Sequence, residues 1–130
     1  MQFTLYTAGC TGDRKNCLYP NKAEISSAEE LASAAVFDHV CASYAGNYRS
    51  IQNYLLSDVV VLDVDNEPED PTAWISPEDL EQEFSDISYA IVPSRHHLKE
   101  KADLSARPRF HVYFPIVACS NAEEIGRAHV

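Results

Sequence analysis

The sequence predicts an α/β (α+β) fold built on a mixed, mainly antiparallel sheet with flanking helices. Three observations predict it. The apolar run Val59-Val60-Val61-Leu62 is continuous, as in a central strand covered on both faces. Tyr89 to Val92, and the alternating segment Arg109 to Phe114, read as two further strands. Two other segments open with helix-capping signals, at Ser27 and at Ser76. Strands 58–65, 89–93 and 109–115 are expected side by side, with helices 28–36 and 77–84 over the sheet.

In chain order, Phe3 to Thr7 alternates apolar and polar residues and reads as a short strand. Residues 8–22 read as loop, broken by Gly9, Gly12, Asp13, Asn16, Pro20 and Asn21. Ser27-Ala28-Glu29-Glu30 is a capping-box pattern that starts the Ala-rich helix 28–36. Phe37 to Cys41 reads as a strand, Tyr44 to Ser50 as loop, and Ile51 to Leu56 as a short helix or turn. Asp58 to Asp65 is the strand read most directly, and Asn66 to Pro71 an acidic turn. Ser76 caps the next helix, Pro77 suits its first position, and acids fill its first turn. Ser94 to Ala106 reads as a polar loop, and the strand from Arg109 is expected to stop at Pro115. No internal repeat or low-complexity segment is present.

A chain of 130 residues with 45% hydrophobic and 23% charged residues can build one domain with a real core. No apolar run nears the roughly 20 residues needed to cross a bilayer, so no membrane partner is expected. The start, Met1 to Tyr6, lacks a basic stretch followed by a long apolar one, and a cytoplasmic location is the expectation. Cys10, Cys17, Cys41 and Cys119 contain no Cys-x-x-Cys pair and read as reduced thiols rather than zinc ligands. The net charge of −10 is unevenly spread. From Asp58 to Asp86 there are eleven acids and no Lys or Arg; from Ser94 to His111 there are five Lys or Arg, three His and two acids. One stretch suits cations and the next suits phosphates, although solvated faces would have the same composition.

Three elements carry chemistry. Asp63 and Asp65 alternate along a strand, so both carboxylates point to one side where the strand opens into a turn. Paired carboxylates repel, and a divalent cation relieves that repulsion; oxygen ligands suit Mg²⁺ or Mn²⁺. A pair of acids that merely ends a strand fits the same pattern. Ser94-Arg95-His96-His97 follows a strand directly and offers several donors to phosphate oxygens; a surface loop is the bland alternative. In Arg107-Pro108-Arg109-Phe110-His111-Val112-Tyr113-Phe114-Pro115, one strand face carries Arg109, His111 and Tyr113, and the other carries Phe110, Val112 and Phe114. The first face can meet nucleic acid by phosphate contact and stacking, or Arg109 can pair with acids of the 58–86 stretch.

The order of these elements resembles the archaeo-eukaryotic primase superfamily, and most of all the primase-polymerases of bacterial phages and mobile elements. The likeness spans roughly residues 50–117. It implies a polymerase catalytic core making or extending primers in DNA replication by two-metal nucleotidyl transfer. It maps Mg²⁺ or Mn²⁺ to Asp63 and Asp65, and the phosphates of an incoming nucleoside triphosphate to Ser94 and His96, with His97 a rival for that role. Asp63, Asp65 and His96 are then the catalytic candidates. Ser94, Arg95, His96, His97, Arg107 and Arg109 are the nucleotide-binding candidates. Lys99 and Lys101 add charge to guide triphosphate or template. A single-stranded DNA template and a helicase region in the same full-length chain are the implied partners.

The family's third motif, an acid after a later apolar strand, has no match. Asp103 falls in a loop, and Glu123 and Glu124 follow no strand of the right kind. Residues 1–124 are therefore expected to form a partial catalytic domain, incomplete at the C-terminus, whose own activity is left open. Glu124 to Val130 reads as a translated sequencing adapter, so 125–130 are expected to be a non-native tail. Two rivals remain: a DNA-binding replication module without catalysis, and a metal-dependent glycosyltransferase using Asp63-x-Asp65. An aspartyl phosphatase is disfavoured, because Asn66 and Glu67 stand where a small hydroxyl residue is preferred.

Overall fold

The computed structural model describes residues 1–128. The fold is mixed α/β, with mainly antiparallel sheets and a few helices. It divides into two compact units: residues 1–60 together with those from Pro115 on, and residues 61–114.

In the first unit, β1 (Phe3–Thr7) lies between β2 (Asn21–Ile25) and β3 (His39–Val40), antiparallel to both. Phe3, Leu5 and Thr7 alternate inward, as expected. Strand β2 falls partly in the segment read as loop. It is a polar edge strand with only Ile25 fully buried, so its pairing with β1 makes it a strand rather than any pattern of its own. Helix α1 (Ala28–Ala35) packs on β2 and buries Leu31 and Ala34. Ser27 Oγ accepts from the Glu30 amide, as the capping pattern predicts. The Glu30 side chain reaches back to the same turn. Its carboxylate accepts from Ser26 Oγ at 2.7 Å and Ser27 Oγ at 3.2 Å, which hold its pKa below the usual carboxylate value.

After the two-residue strand β4 (Ser43–Tyr44), a 3₁₀ turn at Ile51–Asn53 leads straight into β5 (Tyr54–Val64). The strand therefore starts earlier than the apolar run, and residues 54–56 are not helix or turn. Asp58 accepts from both the amide and the hydroxyl of Thr4, at 2.8 and 2.9 Å, joining β5 to β1.

In the second unit, α2 (Pro77–Glu83) has the complete capping box: Ser76 Oγ accepts from the Asp79 amide, and Asp79 accepts from the Ser76 amide. Its Leu80 packs with Phe110 and Val112, flanked by Leu62, Val64, Phe84, Tyr89, Ile91 and Phe114. Strand β6 (Ala90–Pro93) runs antiparallel to β9 (Phe110–Cys119), pairing Ala90 with Tyr113 and Pro93 with Phe110. The four-stranded order is β4-β5-β9-β6, so the three expected strands are neighbours.

Two expectations need correction here. Residues 94–106 are not loop throughout: a turn at 94–98 leads into the hairpin β7 (Lys99–Lys101) and β8 (Leu104–Arg107). Strand β9 also continues past Pro115 to Cys119, and Pro115 lies beyond the β6 ladder, whose last pair is Ala90 with Tyr113. Helix α3 (Ala122–Ala128) follows and buries Ile125. Most of the segment read as a non-native tail thus lies in a helix, and its last two residues lie outside the described ones. Among the described residues, no helix is long and apolar enough to cross a membrane.

Candidate functional site

Alternation along two strands of the second unit sets the site. Leu62 and Val64 of β5, with Phe110 and Val112 of β9, pack in the cluster around Leu80 of α2. Asp63 of β5 and His111 of β9, with Asp65 one residue past the end of β5 and Arg109 one residue before the start of β9, continue the alternate positions of the two strands. They meet in two rungs. His111 Nε2 is 3.4 Å from Asp63 Oδ1, an ion pair only when the ring is protonated. Arg109 Nε is 3.4 Å from Asp65 Oδ1. Lys101, at the end of β7, adds a third cation: its Nζ is 3.3 Å from Asp65 Oδ1 and 3.1 Å from Oδ2.

Arg109 is the hub. It is 1% exposed, and its Nη1 donates to the carbonyls of His96 at 3.1 Å and Lys99 at 2.7 Å. Nη2 reaches the Ser105 carbonyl at 3.4 Å, while Nε has no hydrogen-bond partner. A buried guanidinium without a counter-charge costs several kcal/mol, and Asp65 supplies that charge. The backbone of Arg109 holds the other motif too: its carbonyl accepts from the Ser94 amide at 2.9 Å, and its amide donates to His97 Nδ1 at 3.0 Å. One residue therefore ties Asp65 to the Ser94–His97 turn.

That geometry separates the two histidines. His97 Nδ1 is already an acceptor for a backbone amide, whereas His96 is half-buried and, among the described residues, its hydrogen bonds are made by its carbonyl. Ser94 is half-buried and Arg95 exposed, so their side chains remain at the surface of the turn.

Arg107 lies elsewhere in the network. At 3% exposure its Nη1 donates to the carbonyls of Asn66, Glu67 and Pro68 at 2.8, 3.3 and 2.9 Å. Its guanidinium carbon stands 4.8 Å from the centre of the Trp74 ring. Asn66, 8% exposed with φ of 51°, completes the clamp: its side chain accepts from the Ile75 amide at 2.7 Å and donates to the carbonyls of Ile75 and Pro108. The turn that follows Asp65 is thereby fixed from two sides.

These positions correct the reading of the basic and aromatic strand face as a nucleic-acid surface. Arg109 and Tyr113 are each 1% exposed, and only His111 keeps partial access. The alternative, Arg109 paired with an acid of the 58–86 stretch, is what forms. Arg107 and Arg109 spend most of their donors on backbone carbonyls, so both hold loops in place. Asn66 and Trp74 were not singled out from sequence. Their signal was an Asn at a strand exit, where left-handed backbone favours it, and a Trp within one turn of a loop.

Asp63 and Asp65 are carboxylates, the ligand type a hard divalent cation takes, and Asp65 is paired with Lys101 and Arg109. Among the described residues, no group of three or more His, Cys, Asp or Glu side chains is disposed to hold a metal ion. Asp103 sits exposed in the β7–β8 turn. Glu123 and Glu124 do follow a strand, β9, but lie on α3, where Glu124 Oε2 is 3.4 Å from Cys119 Sγ. All four cysteines are free thiols. No family model matches the chain, and no curated protein or solved structure matches it.

Proposed function

We propose that the chain carries part of the nucleotidyl-transfer centre of a DNA primase-polymerase related to the archaeo-eukaryotic primase superfamily, of the kind found in phages and mobile elements. The observation that supports this best is Arg109, whose one guanidinium reaches both Asp65 and the carbonyl of His96. Two motifs distant in sequence thus share a buried link.

In this reading Asp63 and Asp65 hold Mg²⁺ or Mn²⁺ at the half-open end of β5. A bound divalent ion would supply charge stabilisation of the attacking and leaving oxygens in phosphoryl transfer. Ser94, Arg95 and His96 hold the phosphates of a nucleoside triphosphate, and His97 fixes the turn that presents them. Arg109 keeps the two groups in register, and Arg107 with Asn66 keeps the carboxylate turn from moving. The 3′-hydroxyl of a primer or initiating nucleotide paired with a single-stranded DNA template would attack the α-phosphate of the triphosphate, and pyrophosphate would leave. The reading calls for a further metal acid, which has no counterpart among the described residues.

The test is metal-dependent nucleotide incorporation by the full-length gene product on a single-stranded template. Asp63→Ala is expected to lower it by at least about 100-fold. Full activity in Asp63→Ala would sink the proposal. A second reading, a DNA-binding replication module without catalysis, is favoured by one observation: Asp65 is already neutralised by Lys101 and Arg109. It wins if Asp63→Ala/Asp65→Ala binds DNA normally and no synthesis is ever detected.

A further inference from the structure

A cleft of about 550 Å³ opens within the first unit, between residues 40–57 and helix α3. Small-molecule sites usually enclose roughly 300–1,000 Å³, so the cleft can take one organic molecule. Its walls are mainly apolar. Val40, Ala42, Ile51 and Ile125 line it with the edge-to-face pair Tyr44 and Tyr54, whose ring centres are 6.1 Å apart. Other polar groups along it are already engaged. The Tyr54 hydroxyl donates to the Cys119 carbonyl at 2.8 Å, and Ser57 Oγ lies 2.6 and 2.9 Å from the carbonyls of Cys41 and Val59. Burial, and then the Asp58 carboxylate, keep the Cys41 thiol in its neutral form, while both Asp58 oxygens accept from Thr4.

The one charged side chain along the described lining is a cation. Arg49 is exposed at the cleft, with its guanidinium carbon 5.7 Å from the centre of the Tyr19 ring and its amide donating to the Cys17 carbonyl at 2.8 Å. The chain has 20 acids against 10 Lys and Arg, yet among the described residues no carboxylate pairs with Arg49. Its charge acts instead on the Tyr44 hydroxyl: burial raises the pKa of that group, and Arg49 lowers it. A cation and a hydroxyl thus stand together beside an aromatic wall. An anion with an apolar body matches that combination, because its charge meets a free guanidinium and its body leaves water.

We propose that this cleft is a binding site for a small aromatic or aliphatic molecule bearing one anionic group: Tyr44, Tyr54 and Ile51 receive the apolar body, and Arg49 with the Tyr44 hydroxyl receives the anion. Residues 40–57 build the charged end by themselves. Helix α3, which includes part of the segment expected to be non-native, adds only an apolar wall. The proposal is independent of the polymerase reading, since none of these residues takes part in it.

The test is a fluorescence titration of the 130-residue chain with two dyes. One is anilinonaphthalene sulfonate; the other is phenylnaphthylamine, which has the same rings without the sulfonate. Arg49→Gln is expected to weaken the sulfonate about tenfold and to change the neutral dye by less than about twofold. Arg49→Lys should recover most of the loss. Ile51→Glu alters a residue that is 87% exposed, so the fold should tolerate it; it places a carboxylate beside the cleft and should also weaken the sulfonate. Lys22→Gln, at an exposed lysine of β2 outside the cleft, controls for net charge and should bind as wild type does. Amide resonances that move with the sulfonate should cluster within residues 40–57. Equal sulfonate affinity in Arg49→Gln and wild type overturns the proposal, as does equal weakening by Lys22→Gln. Equal loss of both dyes in Arg49→Gln, or shifts centred outside 40–57, overturns it too. Failure of the sulfonate to bind also overturns it, and a dimer in sedimentation would then make a second copy of the chain the occupant.

Discussion

Asn66 does more than its place in an acidic turn implies. It is nearly buried, adopts left-handed backbone, and satisfies one amide and two carbonyls of residues far along the chain. Asn66→Ala removes those partners and places a Cβ residue where Asn is better tolerated. It should cost about 2–4 kcal/mol in urea unfolding, while Asn66→Asp, which keeps the acceptor, should cost less. Cys41 offers a pH-dependent check. Burial and then the Asp58 carboxylate push its thiol up to about 12 from an ordinary value of 9.0. The thiolate is the reactive form, so Cys41 should alkylate at pH 8 about a hundred- to a thousandfold more slowly in the folded chain than in urea. Because the folded value is the higher one, the associated stabilisation is complete below pH 9 and is lost as the pH rises toward 12.

Elements in this chain owe different debts to sequence and context. Helix α2 is short, yet its start was readable because Ser76, Pro77 and Asp79 each satisfy a local requirement of the first turn. Its position is set by Leu80, which is 6% exposed and packs on Phe110 and Val112 beneath the strands that carry the acids. Leu80→Ala should destabilise by about 2–4 kcal/mol, read by thermal or urea unfolding, with faster amide exchange in β6 and the start of β9. Strand β2 and the β7–β8 hairpin were not readable, because most of their residues are polar or exposed and their pairing makes them strands. The early start of β5 and the late end of β9 have the same origin. Tyr54 to Leu56 lie outside the apolar run, and Pro115 looked like a stop because its position relative to the β6 ladder is a tertiary fact.

For the molecule as a whole, a net charge of −10 opposes approach to a polyanion. The basic stretch does not offset this fully, since Arg107 and Arg109 are buried and Lys101 is paired. Under the proposed function, single-stranded DNA should therefore bind only when a divalent ion neutralises the carboxylate site. Fluorescence anisotropy of a labelled oligonucleotide should rise with Mg²⁺ and fall back with excess chelator. Binding that ignores chelation would favour the non-catalytic reading.

The alternation of Asp63 with Asp65, the apolar run before them and the two capped helices were determined by the chain itself, because each depends on spacing within a few residues. So did the uneven spread of charge. What each charge does was decided by tertiary structure. Arg109 could be read as an open phosphate contact or as a partner for an acid, and only the pairing of β5 with β9 and the fold of the 94–98 turn made it the latter. His96 and His97 are chemically identical, and one backbone amide separates their roles. Lys101 gained its place on Asp65 through a hairpin with no signature of its own. Long-range pairing assigns partners, and a charged side chain has no role until its partner is assigned.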